Sequence, residues 1–272
     1  NKADDPNVIR DIYACGRTNG VFQFESDGIK KALTGFNPTS IDDVILMNAA
    51  YRPGPMDSIS EITEVKNGTE KPNYIIPQME QILGKTYGSA IYQEQIMQLF
   101  QLVGFSLGEA DVIRRAMSKK HLDEIEAAKD KFVSGMIEQG GKPADVEKFW
   151  IRLLAFASYA FNKSHAAAYS IVSYYTAFLK YYFPCEYLSA QLSYTPEKLK
   201  LFLSDLKYAG LTLLQPDINS GVPNFAPMPG NNKQIRFGIK AIKGVSAAAQ
   251  IIYDLRDTKK SNPNAHHLGP CK

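Results

Sequence analysis

A lysine and a histidine stand two residues apart in Phe161-Asn162-Lys163-Ser164-His165, and a long aromatic-rich apolar run begins directly after them. Lys163 offers a fixed positive charge and His165 a titratable one. Ser164 is read as the N-cap of a helix over 164–183, its hydroxyl accepting from free N–H groups of the first turn. A cation, an imidazole and the positive end of a helix dipole together suit an anion such as a phosphate. A second basic cluster, Arg114-Arg115-Ala116-Met117-Ser118-Lys119-Lys120, offers the other half of a phosphate clamp. Arginine is well matched to that role, because its planar fork meets two phosphate oxygens at once. Arg52, ahead of Pro53-Gly54-Pro55, could likewise be held rigidly at a ligand.

Each of these features also has an ordinary structural reading. Leu107, Ala110, Ile113 and Met117 recur at spacings of three and four, so they form the buried face of a helix. Arg114 flanks that face and Arg115 points away from it, where an i,i+4 pair with Asp111 would contribute only about 0.3–0.5 kcal/mol. A lone histidine at a helix start is commonly a cap, and Arg52 with its prolines is a plain helix stop. Tyr159, Phe161, Tyr169, Tyr174, Tyr175, Phe178, Tyr181, Tyr182 and Phe183 could stack nucleobases, yet helical spacing fits core and half-buried surface better.

Reaction centres are harder to find. Asp4-Asp5 and Asp42-Asp43 are adjacent pairs whose side chains diverge, unlike a two-metal site. His266, His267 and Cys271 lack the scaffold and second ligand pair of a metal site. No Walker-type glycine loop and no Gly-x-Ser-x-Gly elbow occurs. The residues alone support a phosphate-binding, mostly helical module without its own reaction centre.

Composition sets the frame for these clusters. A chain of 272 residues suffices for one large domain or two smaller ones, and 44% hydrophobic with 22% charged residues is ordinary for a globular protein. The net charge is only +3, so affinity for a polyanion must come from local patches. Three scattered cysteines exclude a disulfide framework and favour a reducing compartment. The amino-terminal residues are polar and carry no secretion signal. The longest apolar run, 166–179, is interrupted by Ser170, Ser173 and Thr176 and is too short for a membrane span. The abrupt start, without an initiator methionine, suggests a fragment of a longer protein.

Periodicity predicts helices near 26–33, over 41–50, from a capping box at Ser58-Ile59-Ser60-Glu61 to Asn67-Gly68, and over 91–103. A second capping box, Ser106 with Glu109, opens the helix carrying Arg114 and Arg115. Further helices are expected over 122–139, from Pro143 to about 159, over 164–183 with a stop at Pro184, from Thr195 to Gly210, and over 246–256. Strands are expected at 20–25, 211–214, 224–226 and 235–238. The segment from 262 has no periodicity, and its composition suits a disordered tail.

The ordered motifs of this chain resemble those of the alpha subunit of bacterial DNA polymerase III, the family C replicative polymerases. They are Gly20-Val21-Phe22-Gln23-Phe24-Glu25-Ser26, Tyr51-Arg52-Pro53-Gly54-Pro55, Tyr92-Gln93-Glu94-Gln95-Ile96-Met97-Gln98, Arg114-Arg115-Ala116-Met117, Phe161-Asn162-Lys163-Ser164-His165, Pro216-Asp217-Ile218-Asn219 and Gly238-Ile239-Lys240-Ala241-Ile242-Lys243-Gly244. The resemblance implies a mainly α-helical fingers region with a small α/β part near the C-terminus. It implies the end of the palm connection and the start of the fingers over 1–50, the helical fingers core over 51–210, the α/β part over 211–257 and a tail over 258–272. The parent would carry out template-directed DNA synthesis, with Arg114, Arg115 and Lys163, and also His165, Arg52 and Lys119, on the triphosphate of the incoming dNTP. Mg²⁺ and the catalytic aspartates would belong to the palm, upstream, leaving this chain alone inactive. Primer–template DNA would be a partner of this region. The sliding clamp, clamp loader and proofreading exonuclease would bind the parent elsewhere, in the bacterial cytoplasm at the nucleoid. The chain departs from the family pattern at Ser118, Ser158 and Ala160, where glycines are usual. A non-catalytic nucleic-acid-binding module and a purely structural helical scaffold remain the alternatives.

Overall fold

Helical periodicity is realised as a mainly α-helical fold with one small sheet near its C-terminal end. The computed structural model describes residues 3–119, 121–157 and 159–260, which divide into two compact units at Tyr175/Thr176. The expectations for Lys120, Ser158, the tail from 261 and the Ser118 side chain lie outside the described residues. In order, the first unit contains α1 (Pro6–Val8), a π-type turn over Ile9–Ala14, α2 (Asp27–Phe36), α3 (Ile41–Ala50), a 3₁₀ turn at Pro55–Ser58, α4 (Ile59–Lys66) and α5 (Met79–Leu83). Then come α6 (Gln93–Leu102), α7 (Leu107–Lys119), α8 (Leu122–Glu138), α9 (Pro143–Ala157) and α10 (Lys163–Tyr182), the last of which runs past Tyr175 into the second unit.

The larger core of the first unit is made by α6 to α9, each presenting apolar residues at spacings of three and four. Ile96, Leu99 and Phe100 meet Ala110 and Ile113, Phe132 and Met136, and Phe149, Trp150 and Leu153, all buried. Phe132 lies between Phe100 and Trp150, with ring centroids 4.8 and 5.3 Å away. The Ser106–Glu109 box forms as expected, and starts α7. The Glu109 carboxylate accepts from the Ser106 N–H at 2.7 Å and the Ser106 hydroxyl accepts from the Glu109 N–H at 3.2 Å.

Helix α3 is buried from Asp43 to Ala50, which places an ionisable group inside the fold. Asp43 Oδ2 accepts from Lys66 Nζ at 2.7 Å and from the Thr39 N–H at 2.8 Å, and Oδ1 accepts from the Tyr87 hydroxyl at 2.8 Å. Burial pushes this carboxyl up, but the hydrogen bonds from Lys66, Thr39 and Tyr87 outweigh it and hold it below the usual range.

The second unit contains α11 (Pro184–Tyr194), α12 (Leu199–Tyr208), β1 (Thr212–Leu214), β2 (Ala226–Met228), β3 (Asn231–Arg236) and α13 (Ala249–Lys260). The sheet order is β1-β3-β2, with β1 parallel and β2 antiparallel to the central strand. Ile235 on β3 is fully buried against Leu188, Leu192, Phe202 and Leu206. Lys180 Nζ lies 2.6 Å from Asp205 Oδ1, a second buried ion pair.

Several expected elements change in detail. The 20–25 stretch is a pair of tight turns (Val21 N–H to Thr18 O, Phe24 N–H to Val21 O, both 3.0 Å), and among the described residues no strand pairs with it. Ser58 makes no side-chain cap, since the turn already begins at Pro55. Pro184 ends α10 but also opens α11 at its first position, where its missing N–H costs nothing. α13 runs to Lys260, four residues past the expected end.

Replacing Lys66 by methionine strands the Asp43 carboxylate in the interior. It should cost about 3 kcal/mol in urea unfolding, whereas Asp43→Asn with Lys66→Met should cost clearly less. Because the Asp43 pKa is depressed, its contribution is present above the ordinary carboxylate range and fades as pH falls through the lowered value. The acid loss of stability should therefore be shallower in the Lys66→Met variant.

Candidate functional site

Two backbone hydrogen bonds join the start of α6 to the start of α10. The Phe161 N–H donates to Ile91 O and the Gln93 N–H to Phe161 O, each at 3.0 Å, making an isolated parallel bridge between Tyr92 and Phe161. Gln95, one turn into α6, fixes this junction from inside. Its Oε1 accepts from the Ile91 and Tyr92 N–H groups at 3.0 and 2.9 Å, and its Nε2 donates to Ile82 O and Thr86 Oγ1.

Helix α10 starts one residue earlier than its expected cap. Asn162, not Ser164, is the N-cap: Asn162 Oδ1 accepts from the His165 N–H at 2.8 Å. The positive end of the helix is already met by a carboxylate, because both Glu94 oxygens accept from the Lys163 N–H at 3.2 Å. An incoming anion would therefore meet the Lys163 side chain rather than bare N–H groups. Lys163 Nζ lies 5.4 Å from the centre of the Tyr92 ring.

Phe161 is also the centre of a column of flat groups. The Arg52 guanidinium lies 3.4 Å over its ring, and His165 meets it edge-on with centroids 5.2 Å apart. His165 stacks in turn on Tyr169 at 4.3 Å, which packs on Phe22 at 5.7 Å. Partial burial lowers the Arg52 pKa, but from a value so high that it stays charged. The loop carrying Arg52 needs a glycine at 54, where φ is +105° and a Cβ would fall 2.5 Å from the Tyr159 ring.

The twin arginines reach the same junction through Gln93. Arg114 Nη1 donates to Gln93 Oε1 at 3.1 Å, while its Nε and Nη2 donate to Asp111 Oδ1 at 2.9 and 2.8 Å. Arg115 Nη2 donates to the other oxygen, Asp111 Oδ2. These hydrogen bonds, Arg114's first, hold the Asp111 carboxyl below its usual range. Arg115 is 65% exposed against 26% for Arg114, so it is free to turn toward solvent. Thus Arg52, Lys163, His165 and Arg114 are linked through Phe161, Tyr92, Gln93 and Glu94, with Arg115 one step further through Asp111. Lys119, exposed in the last turn of α7, is not joined to this network among the described residues.

The family of bacterial DNA polymerase III alpha subunit finger domains matches residues 2–140. The chain belongs to this family. DNA polymerase III subunit alpha of Aquifex aeolicus is 40% identical over 263 residues, covering 94% of this chain and 22% of that protein. The Treponema pallidum protein of the same name is 42% identical over 262 residues (95% and 22%), and the Thermus aquaticus one 39% over 264 (93% and 21%). This finger-domain chain spans about a fifth of the length of the curated relatives it matches.

Sequence reasoning gave no site role to Gln93, Glu94, Gln95 or Asp111, although it paired Asp111 with Arg115. The available signal was polar density, since Gln93-Glu94-Gln95 puts three consecutive hydrogen-bonding side chains in the first turn of α6. An open cleft of about 360 Å³ lies beside the column, lined by Gly54, Asp57, Ser58, Ile91, Phe156 and Tyr159 among others. Among the described residues no group of three or more His, Cys, Asp or Glu side chains is placed to hold a metal ion, so no Mg²⁺ site is assigned here. No helix among them is long and apolar enough to cross a membrane.

The cap assignment has a direct test. Asn162→Ala should lower stability by about 1 kcal/mol in chemical denaturation, whereas Ser164→Ala should stay within about 0.5 kcal/mol of the parent.

Proposed function

We propose that this finger domain grips the triphosphate of an incoming deoxynucleotide while its parent protein extends a primer on a DNA template. The observation that carries the reading is the convergence of Arg52, Arg114, Arg115 and Lys163, from motifs up to 111 positions apart in sequence, on one junction built around Phe161 and Gln93. A helical scaffold has no use for so many like charges in one place. A triphosphate does, because its charge grows on the leaving pyrophosphate as the primer hydroxyl attacks the α-phosphate. In this reading Arg114 and Arg115 approach the phosphates from α7 and Lys163 from α10. Arg52, over the face of Phe161, and His165, edge-on to the same ring, line the approach. Lys119 has the least support, being outside the linked set. The metal ions of the reaction belong to residues of the parent outside this chain, so the chain alone should not incorporate nucleotides.

General polyanion binding is the reading to separate from this one, and it predicts different losses. In the full-length polymerase, Arg114→Ala and Lys163→Ala should each lower kcat/KM for dNTP by about a hundredfold while primer–template affinity changes less than about threefold. An equal loss of DNA affinity in filter binding, with a steep salt slope, would favour the polyanion reading. Primer extension by residues 1–272 alone should give no product. A product, free of contaminating polymerase, would place the reaction centre inside this chain.

A further inference from the structure

Asp111 divides its two oxygens between the two arginines in an unusual way. A carboxylate facing one arginine commonly gives each oxygen to a different N–H of the same fork. Here Oδ1 alone takes both Nε and Nη2 of Arg114, and Oδ2 is left to Arg115. Arg114 has a second brace at Nη1 from Gln93 Oε1, which is itself tied to Phe161 by its backbone. At least three of the five N–H donors of Arg114 are thus directed by protein oxygens, and the guanidinium plane is set before any ligand arrives. Arg115 gives Asp111 one nitrogen from an exposed position one residue further along the same helix.

We propose that Asp111 is a positioning residue with two separable jobs: Oδ1, together with Gln93, locks the plane of Arg114, and Oδ2 retains Arg115 until an incoming triphosphate takes it over. The proposal rests on the triphosphate reading above and extends it to a residue that does not touch the nucleotide. The two jobs have opposite effects on affinity. Loss of the Arg114 brace lets the fork rotate, so fewer of its donors meet phosphate oxygens at once. Loss of the hold on Arg115 removes a competing anion and makes that arginine easier to recruit.

Substitution can separate the two. Asp111→Ala removes both oxygens. Asp111→Asn can keep a carbonyl oxygen at the Oδ1 position for Arg114 while turning an amide nitrogen, a donor, toward Arg115. In steady-state primer extension by the full-length polymerase with dNTP titrated, Asp111→Ala should raise KM for dNTP about tenfold with primer–template Kd unchanged. Asp111→Asn should hold KM within about twofold of the parent, or lower it. Gln93→Met, which removes the other brace, should raise KM in the same direction as Asp111→Ala, and it serves as the second test if the alanine variant folds poorly.

Unchanged KM in Asp111→Ala and Gln93→Met would reduce Asp111 to a surface helix pair. A KM as high in Asp111→Asn as in Asp111→Ala would overturn the division between the oxygens. Arg114→Ala measured alongside separates the two levels of argument. If it leaves KM unmoved, the triphosphate reading fails and the positioning role falls with it. If it raises KM while the Asp111 variants do not, only the positioning role is lost.

Discussion

The first unit's candidate site depends on a two-bond backbone bridge between Tyr92 and Phe161. These residues are 69 positions apart, and two N–H···O bonds of 3.0 Å bring the starts of α6 and α10 together. Everything with a charge then follows from which side chains flank the bridge. Gln93 and Glu94 come next on one strand of it, Asn162 and Lys163 next on the other. So short a bridge contributes little by itself, since a typical net hydrogen bond is worth about 1 kcal/mol. It persists because Gln95 occupies its inner side with all its hydrogen-bonding capacity used. Phe161 meanwhile has Arg52 on one face, a contact that adds about 0.5–2 kcal/mol depending on how dry it is.

A cluster of cations also has to be compatible with a stable fold. Two unit charges about 6 Å apart repel by roughly 3 kcal/mol at an effective dielectric of about 20, an energy comparable to a large share of net stability. The structure sets local carboxylates against these cations. Glu94 faces the α10 terminus beside Lys163, and Asp111 faces both arginines. Sequence reasoning treated the Asp111 pair and the phosphate clamp as alternatives. They are compatible, because a resident carboxylate is what allows a clamp to exist empty.

Much of the fold was legible because its signals are local. Helix α3 matches the expected 41–50 residue for residue, since Ser40 caps it and Tyr51-Arg52-Pro53 ends it. The Ser106–Glu109 box opened α7 as read. What misled were residues with two uses. Pro184 stops one helix and starts another, and Ser164 has the right chemistry for a cap two residues after Asn162 has already provided it. The 20–25 stretch has strand-forming residues but no partner strand, and pairing is a property of the whole fold. Polar β3 residues, Asn231 to Gln234, were invisible for the converse reason: an exposed strand needs no apolar pattern once Ile235 anchors its end.

The candidate cations were legible by type, and the motif resemblance grouped them, but the contacts that join them were not legible. Nothing in the spacing of Arg52, Arg114 and Lys163 says that they share a junction, because that fact lives in hydrogen bonds made by Gln93 and Glu94. The same bonds determine how affinity at such a site must be reckoned. A phosphate arriving at Arg115 does not gain a bare cation; it exchanges one anion, Asp111, for another. Only the difference between the two contacts appears in binding. That difference grows with every added phosphate oxygen, whereas Asp111 has only two oxygens and already commits one of them to Arg114. On the proposed reading the exchange would favour a ligand with several adjacent phosphates over one with a single charge, without any contact to its base or sugar. On the proposed triphosphate reading, selectivity for a polyphosphate would come from what the site already holds.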